Sequence, residues 1–137
     1  IDVIARKGHS WGETEKVVER VNAGTDCKIC MYELADQVQM KKSIEDSAIL
    51  VNASSVGMSP HEDSCLVPDQ TFFHPELIVS DVIYNPRKTK LLRMAENVGC
   101  STFNGMYMLL YQGAEAFRLW TGKEMPVKEI KANFFAD

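Results

Sequence analysis

A chain of 137 residues with 45% hydrophobic and 25% charged side chains has the composition of an ordinary globular domain, long enough to bury about two-thirds of the surface its unfolded form exposes. Its formal net charge of −4 offers no basic surface to displace counterions from a phosphate backbone, which argues against nucleic acid as a partner. No apolar run approaches the roughly 20 residues that span a bilayer, and Ile1 to Arg6 is too short for a secretory signal, so no membrane partner is expected and the expected compartment is the cytoplasm.

Ile1-Asp2-Val3-Ile4-Ala5 reads as a strand that begins at once, without a cap or lead-in, as expected of a chain cut from something longer. After Gly8, the stretch Trp11 to Val21 places Val17, Val18 and Val21 at helical spacing, and Asn22-Ala23-Gly24 supplies a stop. Cys27 to Tyr32 is a second short strand, and Leu34 to Glu45 a second helix with Leu34, Val38 and Ile44 available for burial. Ala48 to Asn52 is a continuous apolar run of strand length, the pattern of a strand covered on both faces. The Ser, Pro, His and Asp residues from Ser54 to Pro75 read as loop. Leu77 to Ile83 is another buried-type strand, Thr89 to Glu96 a helix, and Ser101-Thr102-Phe103 a short last strand. Gly105 to Trp120 is helical until Gly122, and Val127 to Phe135 forms a final helix after Pro126.

Strands alternating with helices imply parallel βαβ units. The predicted class is α/β, a doubly wound, mostly parallel sheet with helices on both faces. Such sheets bind ligands outside the carboxyl ends of their strands, here just after Ala5, Asn52, Ile83 and Phe103. At the first junction, Ala5-Arg6-Lys7-Gly8 corresponds to the tip of the second strand of a dinucleotide fold whose first strand lies upstream. An acid at that tip bonds the 2′-hydroxyl of NAD, whereas Arg suits the 2′-phosphate of NADP, so two cations without an acid favour the phosphate. The alternative is a solvated loop. At the second, Asn52-Ala53-Ser54-Ser55-Val56-Gly57-Met58 leaves a buried strand through small residues that let a ligand approach backbone N–H groups, or is an ordinary turn. At the third, Tyr84 and Asn85 stand where a pocket uses orienting polar groups, or form a Tyr-Asn-Pro turn with the ring as packing. At the fourth, Gly105, Met108, Leu109, Gln112, Ala116 and Leu119 share one helical face. Gln112 is the polar residue on that apolar stripe, and a buried Gln requires a hydrogen bond, to backbone or to a ligand.

Cys27, Cys30, Cys65 and Cys100 are too sparse for a disulfide scaffold and read as reduced thiols. Cys27-Lys28-Ile29-Cys30 has redox or metal spacing, but in an alternating strand its thiols point to opposite faces. His9, His61 and His74 show no ligand spacing, and His61-Glu62-Asp63 lacks a second His or Cys set, so no metal is expected.

Asn52-Ala53-Ser54-Ser55-Val56-Gly57-Met58, then Asp81-Val82-Ile83-Tyr84-Asn85-Pro86 with Thr89 and Leu91-Leu92, then Gly105, Met108-Leu109, Gln112-Gly113-Ala114, Phe117 and Trp120-Thr121-Gly122, together resemble the shikimate dehydrogenase family. The details around Arg6 and from Asn22 to Cys27 are nearest its quinate/shikimate branch. The resemblance implies an oxidoreductase that interconverts 3-dehydroshikimate and shikimate, and in the quinate branch dehydroquinate and quinate, by moving a hydride to or from NADP or NAD. It implies a substrate domain followed by a Rossmann-type cofactor domain. Residues 1–137 would be the second of these without its first strand and Gly-rich loop, and the helices of 105–137 would pack toward the first. Ala5, Arg6, Lys7 and Gly8 would hold the adenosine end of the cofactor, with Ser55 beside it. Val82, Ile83, Tyr84 and Asn85 would border the nicotinamide, Gly105 would contact its carboxamide, Gln112 would reach the substrate's hydroxyls, and Tyr84 would stand at the substrate–nicotinamide boundary. The Lys and Asp that handle the proton in the family belong to the substrate domain, so no catalytic residue is expected in this chain, which alone would be inactive. Two departures bear on the cofactor. The family usually has Asn where Ala5 stands, and the quinate branch often has an acid at Gly8, so NADP or mixed use is expected. The rival readings are a non-catalytic Rossmann-type fragment kept for binding or for a homodimer, and a dehydrogenase of another hydroxy acid.

Overall fold

The computed structural model describes residues 1–135; residues 136 and 137, the end of the expected segment 105–137, lie outside the described residues. The chain divides into two compact units, Ile1–Ser47 and the part from Ala48 onward.

In the first unit, strand β1 (Asp2–Ala5) pairs in parallel with β2 (Cys30–Glu33), Asp2 opposite Cys30 and Ala5 opposite Glu33. Helix α1 runs Trp11–Gly24, ending at the last residue of the stop expected from Asn22-Ala23-Gly24. Asn22 turns its amide sideways: its Oδ1 accepts the Ile29 N–H at 2.7 Å and its Nδ2 donates to the Ile29 carbonyl at 2.9 Å. That pair of bonds occupies the chain before β2, so the strand starts at Cys30 and not at Cys27. Cys27 precedes the strand, and the alternation expected to separate it from Cys30 does not apply. Helix α2 is Gln37–Glu45, opened by Asp36, whose carboxylate accepts the Gln39 N–H at 2.9 Å. Its buried face is Met40, Ser43 and Ile44, and the Ser43 hydroxyl donates to Asp2 of β1 at 2.6 Å. Val38, expected to be available for burial, is 83% exposed, because it projects from the far side of a helix turned by that bond.

The second unit holds a parallel sheet in the order β3-β4-β5, with β3 at Ile49–Asn52, β4 at Ile78–Asp81 and β5 at Ser101–Phe103. Asn52 lies opposite Asp81, and Ile78 opposite Ser101. The centre is β4, where Val79, and Leu77 just before the strand, are fully buried. The loop from Ser54 to Pro75 contains a 3₁₀ turn at Gln70–Phe72 and buries Val67 and Phe73. Helix α3 (Lys90–Val98) packs against β4 and β5 through Leu91, Leu92 and Ala95. The both-sided cover expected for β3 is not found: Ile49 and Val51 are more than half exposed. β3 is an edge strand of this sheet, and α3, the helix packed on it, lies over the other two strands.

Helix α4 spans Met106–Thr121 and ends at Gly122, and α5 spans Val127–Phe134 behind Pro126. The buried residue of α4 is Leu110, while Met108 and Leu119, on the expected apolar stripe, are exposed. Tyr107 meets Phe135 with ring centroids 5.9 Å apart, so the face that finds partners is that of Tyr107 and Leu110. Among the described residues no helix is long and apolar enough to cross a membrane.

Candidate functional site

The carboxyl ends of β3 and β4 meet at Asp81, a carboxylate with 1% of its surface exposed. Isolated, such a charge would be prohibitively costly to bury, and here hydrogen bonds meet it from three elements. Oδ1 accepts from the Asn52 amide at the end of β3 at 3.1 Å and from the Ile83 N–H at 3.0 Å. Oδ2 accepts from the Thr89 hydroxyl at 2.7 Å. Thr89 is the N-cap of α3, and its oxygen in turn accepts the Leu92 N–H at 3.4 Å. Asn52 passes the network on, accepting from the Ser54 hydroxyl at 2.7 Å and donating to the Val56 carbonyl at 3.2 Å.

The loop after β3 then closes as a turn from Ser55 to Met58, whose N–H donates to the Ser55 carbonyl at 3.2 Å. Gly57 takes φ +99° in that turn, and a Cβ there would lie 3.2 Å from the Ser64 carbonyl oxygen, so the backbone and the space both call for glycine. Ser59 N–H donates to the Asn85 carbonyl at 3.2 Å and ties this loop to the one after β4. Between the two loops lies a cleft of about 320 Å³. Ser55, Val82, Ile83, Tyr84 and Asn85 all line it. Five of the residues singled out in the sequence are thus brought together, with the Tyr84 side chain partly open to solvent.

Gly105 stands directly behind that wall. Its N–H donates to the Ile83 carbonyl at 2.9 Å, and a Cβ built on it would overlap the Val82 carbonyl oxygen at 1.9 Å. The glycine is required by backbone contact with Val82 and Ile83. Gln112 does not fulfil the expectation of burial: it is exposed on α4, because the helix turns Leu110 inward.

Ala5, Arg6, Lys7 and Gly8 lie in the first unit, at the tip of β1. Arg6 is exposed and has no ion-pair partner among the described residues. Lys7 is engaged. Its ammonium lies 2.7 Å from Glu33 Oε1, at the end of β2, and 5.8 Å from the centre of the Trp11 ring. The hydrogen bond that Lys7 donates to Glu33 holds the ammonium above its ordinary pKa. The tip that shows no acid in the linear sequence therefore acquires one from the adjacent strand.

All four cysteines are free thiols. Burial pushes the Cys65 and Cys100 thiols up, away from the thiolate form that a nucleophile needs. Among the described residues no group of three His, Cys, Asp or Glu side chains is arranged to hold a metal ion.

The sequence reading did not include Asn52, Ser54, Asp81 and Thr89 among the site residues. The signal was present: Asn52 and Asp81 are polar residues at the ends of otherwise apolar strands, and such residues are buried only with partners.

Residues 105–132 match the family described as Shikimate 5'-dehydrogenase C-terminal domain. Shikimate dehydrogenase (NADP(+)) of Listeria monocytogenes serotype 4b (strain F2365) is 48% identical over 135 residues, 98% of this chain and 46% of that protein. Quinate/shikimate dehydrogenase of Escherichia coli O139:H28 (strain E24377A / ETEC) is 41% identical over 131 residues, 96% of this chain and 46% of that protein. The crystal structure of shikimate 5-dehydrogenase from Listeria monocytogenes in complex with shikimate and NAD matches with a TM-score of 0.87 at 48% identity, covering 96% of this chain and 46% of that one. The chain spans about half the length of the curated relatives it matches.

If Asp81 holds the cleft together, Asp81→Ala in the complete protein should cost on the order of 3 kcal/mol, since it strands the Asn52 amide, the Ile83 N–H and the Thr89 hydroxyl. Asp81→Asn, which keeps the shape and one acceptor, should cost about 1 kcal/mol. Urea denaturation reads both, and an Ala variant as stable as the Asn variant would show that the network is incidental.

Proposed function

Because this chain belongs to the shikimate dehydrogenase family, we propose that it is the cofactor-binding part of an enzyme that interconverts 3-dehydroshikimate and shikimate with NADP or NAD. The observation that carries the reading is the cleft at the carboxyl ends of β3 and β4, lined by Ser55 and Val82 to Asn85. Its volume lies at the low end for small-molecule pockets and suits one ring of a cofactor. The reading is supported by the shikimate, NADP and NAD named for relatives that are 48% identical, and by the strand ends, where parallel α/β sheets take ligands. The free thiols fit a reducing compartment such as the cytoplasm.

The residues present fit a nicotinamide dinucleotide. Val82, Ile83 and Asn85 would form one wall for the nicotinamide, and Gly105, which fixes that wall by backbone contact, leaves no side chain in its way. The cofactor supplies the hydride acceptor or donor. The chain's own part is orientation and exclusion of water. Tyr84 offers an orienting hydroxyl on the cleft lining, and Ser55, on the same lining, would offer a hydroxyl toward the adenosine side of the cofactor. Arg6, without an ion-pair partner and exposed at the tip of β1, offers a guanidinium to an anionic group of the adenosine end.

The proton of the reaction would be handled by a Lys and an Asp of the substrate domain, toward which α4 and α5 would turn their exposed faces. Met108, Leu119 and Trp120 are half or more exposed on α4, and Phe134 on α5. Gln112 shares the exposed side of α4 and would reach substrate hydroxyls there.

The complete enzyme should reduce NADP or NAD in the presence of shikimate, followed by nicotinamide absorbance, and the 137-residue chain alone should not. A complete enzyme that turns over neither shikimate nor quinate would sink the proposal. Gln112→Ala should lower kcat/KM for shikimate by about 1–3 kcal/mol in activation free energy while leaving the melting temperature and cofactor affinity nearly unchanged; a fall in melting temperature with intact kinetics would make Gln112 structural. Arg6→Ala should raise KM for NADP much more than for NAD, because only NADP carries the 2′-phosphate that a guanidinium pairs with. Equal effects on the two cofactors would reduce Arg6 to a solvated charge.

A further inference from the structure

The tip of β1 and β2 carries an inference that rests on the cofactor reading and deepens it. We propose that Glu33 is a specificity-determining residue, which weakens selection for a 2′-phosphorylated dinucleotide by holding Lys7 at the end of the neighbouring strand.

The parallel register sets Ala5 opposite Glu33, and the Leu34 N–H donates to the Ala5 carbonyl at 2.8 Å. The last residue of β2 is therefore fixed beside the segment that leaves β1. From there the Glu33 carboxylate reaches the Lys7 ammonium at 2.7 Å. The ammonium also lies over the Trp11 ring, and the indole is itself pinned by its N–H, which donates to Glu15 at 2.6 Å. Lys7 is held from two sides, while Arg6 next to it has no ion-pair partner among the described residues.

A 2′-phosphate carries nearly two negative charges, and a site selects it over a 2′-hydroxyl by the cations it can offer. Two cations stand in the sequence at this tip, but one is already paired. To use Lys7, a phosphate must share it with Glu33. A 2′-hydroxyl faces no such penalty. Glu33 thus counts against NADP while leaving NAD untouched, and the tip becomes permissive where its sequence alone reads as phosphate-selective. The side chains of the pair are 65% and 43% exposed, so solvent screening limits the effect to that of a surface ion pair, a factor of roughly two to five in affinity.

The test is the ratio of kcat/KM with NADP to that with NAD, at fixed shikimate, for the complete enzyme and its Glu33→Gln, Lys7→Gln and doubly substituted forms. Glu33→Gln should raise the ratio about two- to fivefold, and in the Lys7→Gln background it should have less than half that effect. A general weakening of the tip would lower both cofactors together and leave the ratio unmoved, which would overturn the proposal. A full-sized shift in the Lys7→Gln background would overturn the route through Lys7. Should Glu33→Gln fail to fold, Lys7→Gln alone decides: it must cost the NADP reaction less than Arg6→Ala does, and an equal or larger cost overturns the idea. A wild-type enzyme that binds neither cofactor removes the underlying reading and this one with it, whereas binding with an unmoved ratio removes only the role of Glu33.

Discussion

A buried carboxylate met by hydrogen bonds is the constraint on which the second unit depends. Asp81 ends β4, the central strand, and is almost without exposure. Its acceptors must be filled, and the donors that fill them come from the end of β3, from the backbone just beyond β4 and from the cap of α3. Three segments that would otherwise be independent loop ends are thereby given a common origin. The cleft between the loops after β3 and β4 has its shape because both loops start from atoms bonded to the same side chain. An apolar residue at this place would bury more easily but would leave those loop ends without a shared anchor.

The same logic explains which parts of the fold were legible from the residues. β4 and α3 were found nearly in full because their signals are local: a run from Leu77 to Ile83 with no exposed apolar face, and Thr89 ahead of Leu91, Leu92 and Ala95 at helical spacing. β2 was misplaced because the competing signal is not local. The Asn22 amide reaches seven residues along the chain to bond both backbone groups of Ile29, and nothing in the pattern of Cys27 to Tyr32 announces that. The orientation of α4 was missed for a related reason. Its apolar residues surround the helix, so periodicity alone does not say whether the Leu110 side or the Met108 side turns inward, and on the expected apolar stripe Met108, Gln112 and Leu119 are exposed while Gly105 is buried.

The candidate site was more legible than its support. Ser55 and Val82 to Asn85 were picked out by their place at strand ends and by resemblance, and they line one cleft. Gly105 was picked out for a ligand contact, and the structure adds a reason that holds with or without a ligand: a side chain there would overlap the Val82 carbonyl. A glycine fixed by backbone contact is also the residue that keeps the wall of a cleft in register with the helix behind it. The supporting network of Asn52, Ser54, Asp81 and Thr89 escaped because each residue, taken singly, has an unremarkable reading as a turn or cap former. Only their convergence separates them from other polar loop residues, and convergence is a property of the folded chain.

Exposed apolar surface completes the argument for how such a chain would be used. Ile49 and Val51 on β3, and Met108, Leu119 and Trp120 on α4, are half or more open to solvent. Scattered apolar residues on a surface need no explanation, and Val38 and Phe103 are exposed elsewhere, but these five lie on one strand and one helix. On β3 the exposed pair alternates with the half-buried Leu50 and the buried Asn52, as a strand does when its second face awaits cover. On α4 the inward face already satisfies Leu110, so the outward residues are not a second core for the same unit. Gln112 stands among them as a polar group able to donate and accept. In the proposed enzyme such a surface, apolar with one amide, would border the compartment that holds the substrate, where the apolar residues would exclude solvent and the amide would orient a hydroxylated ring.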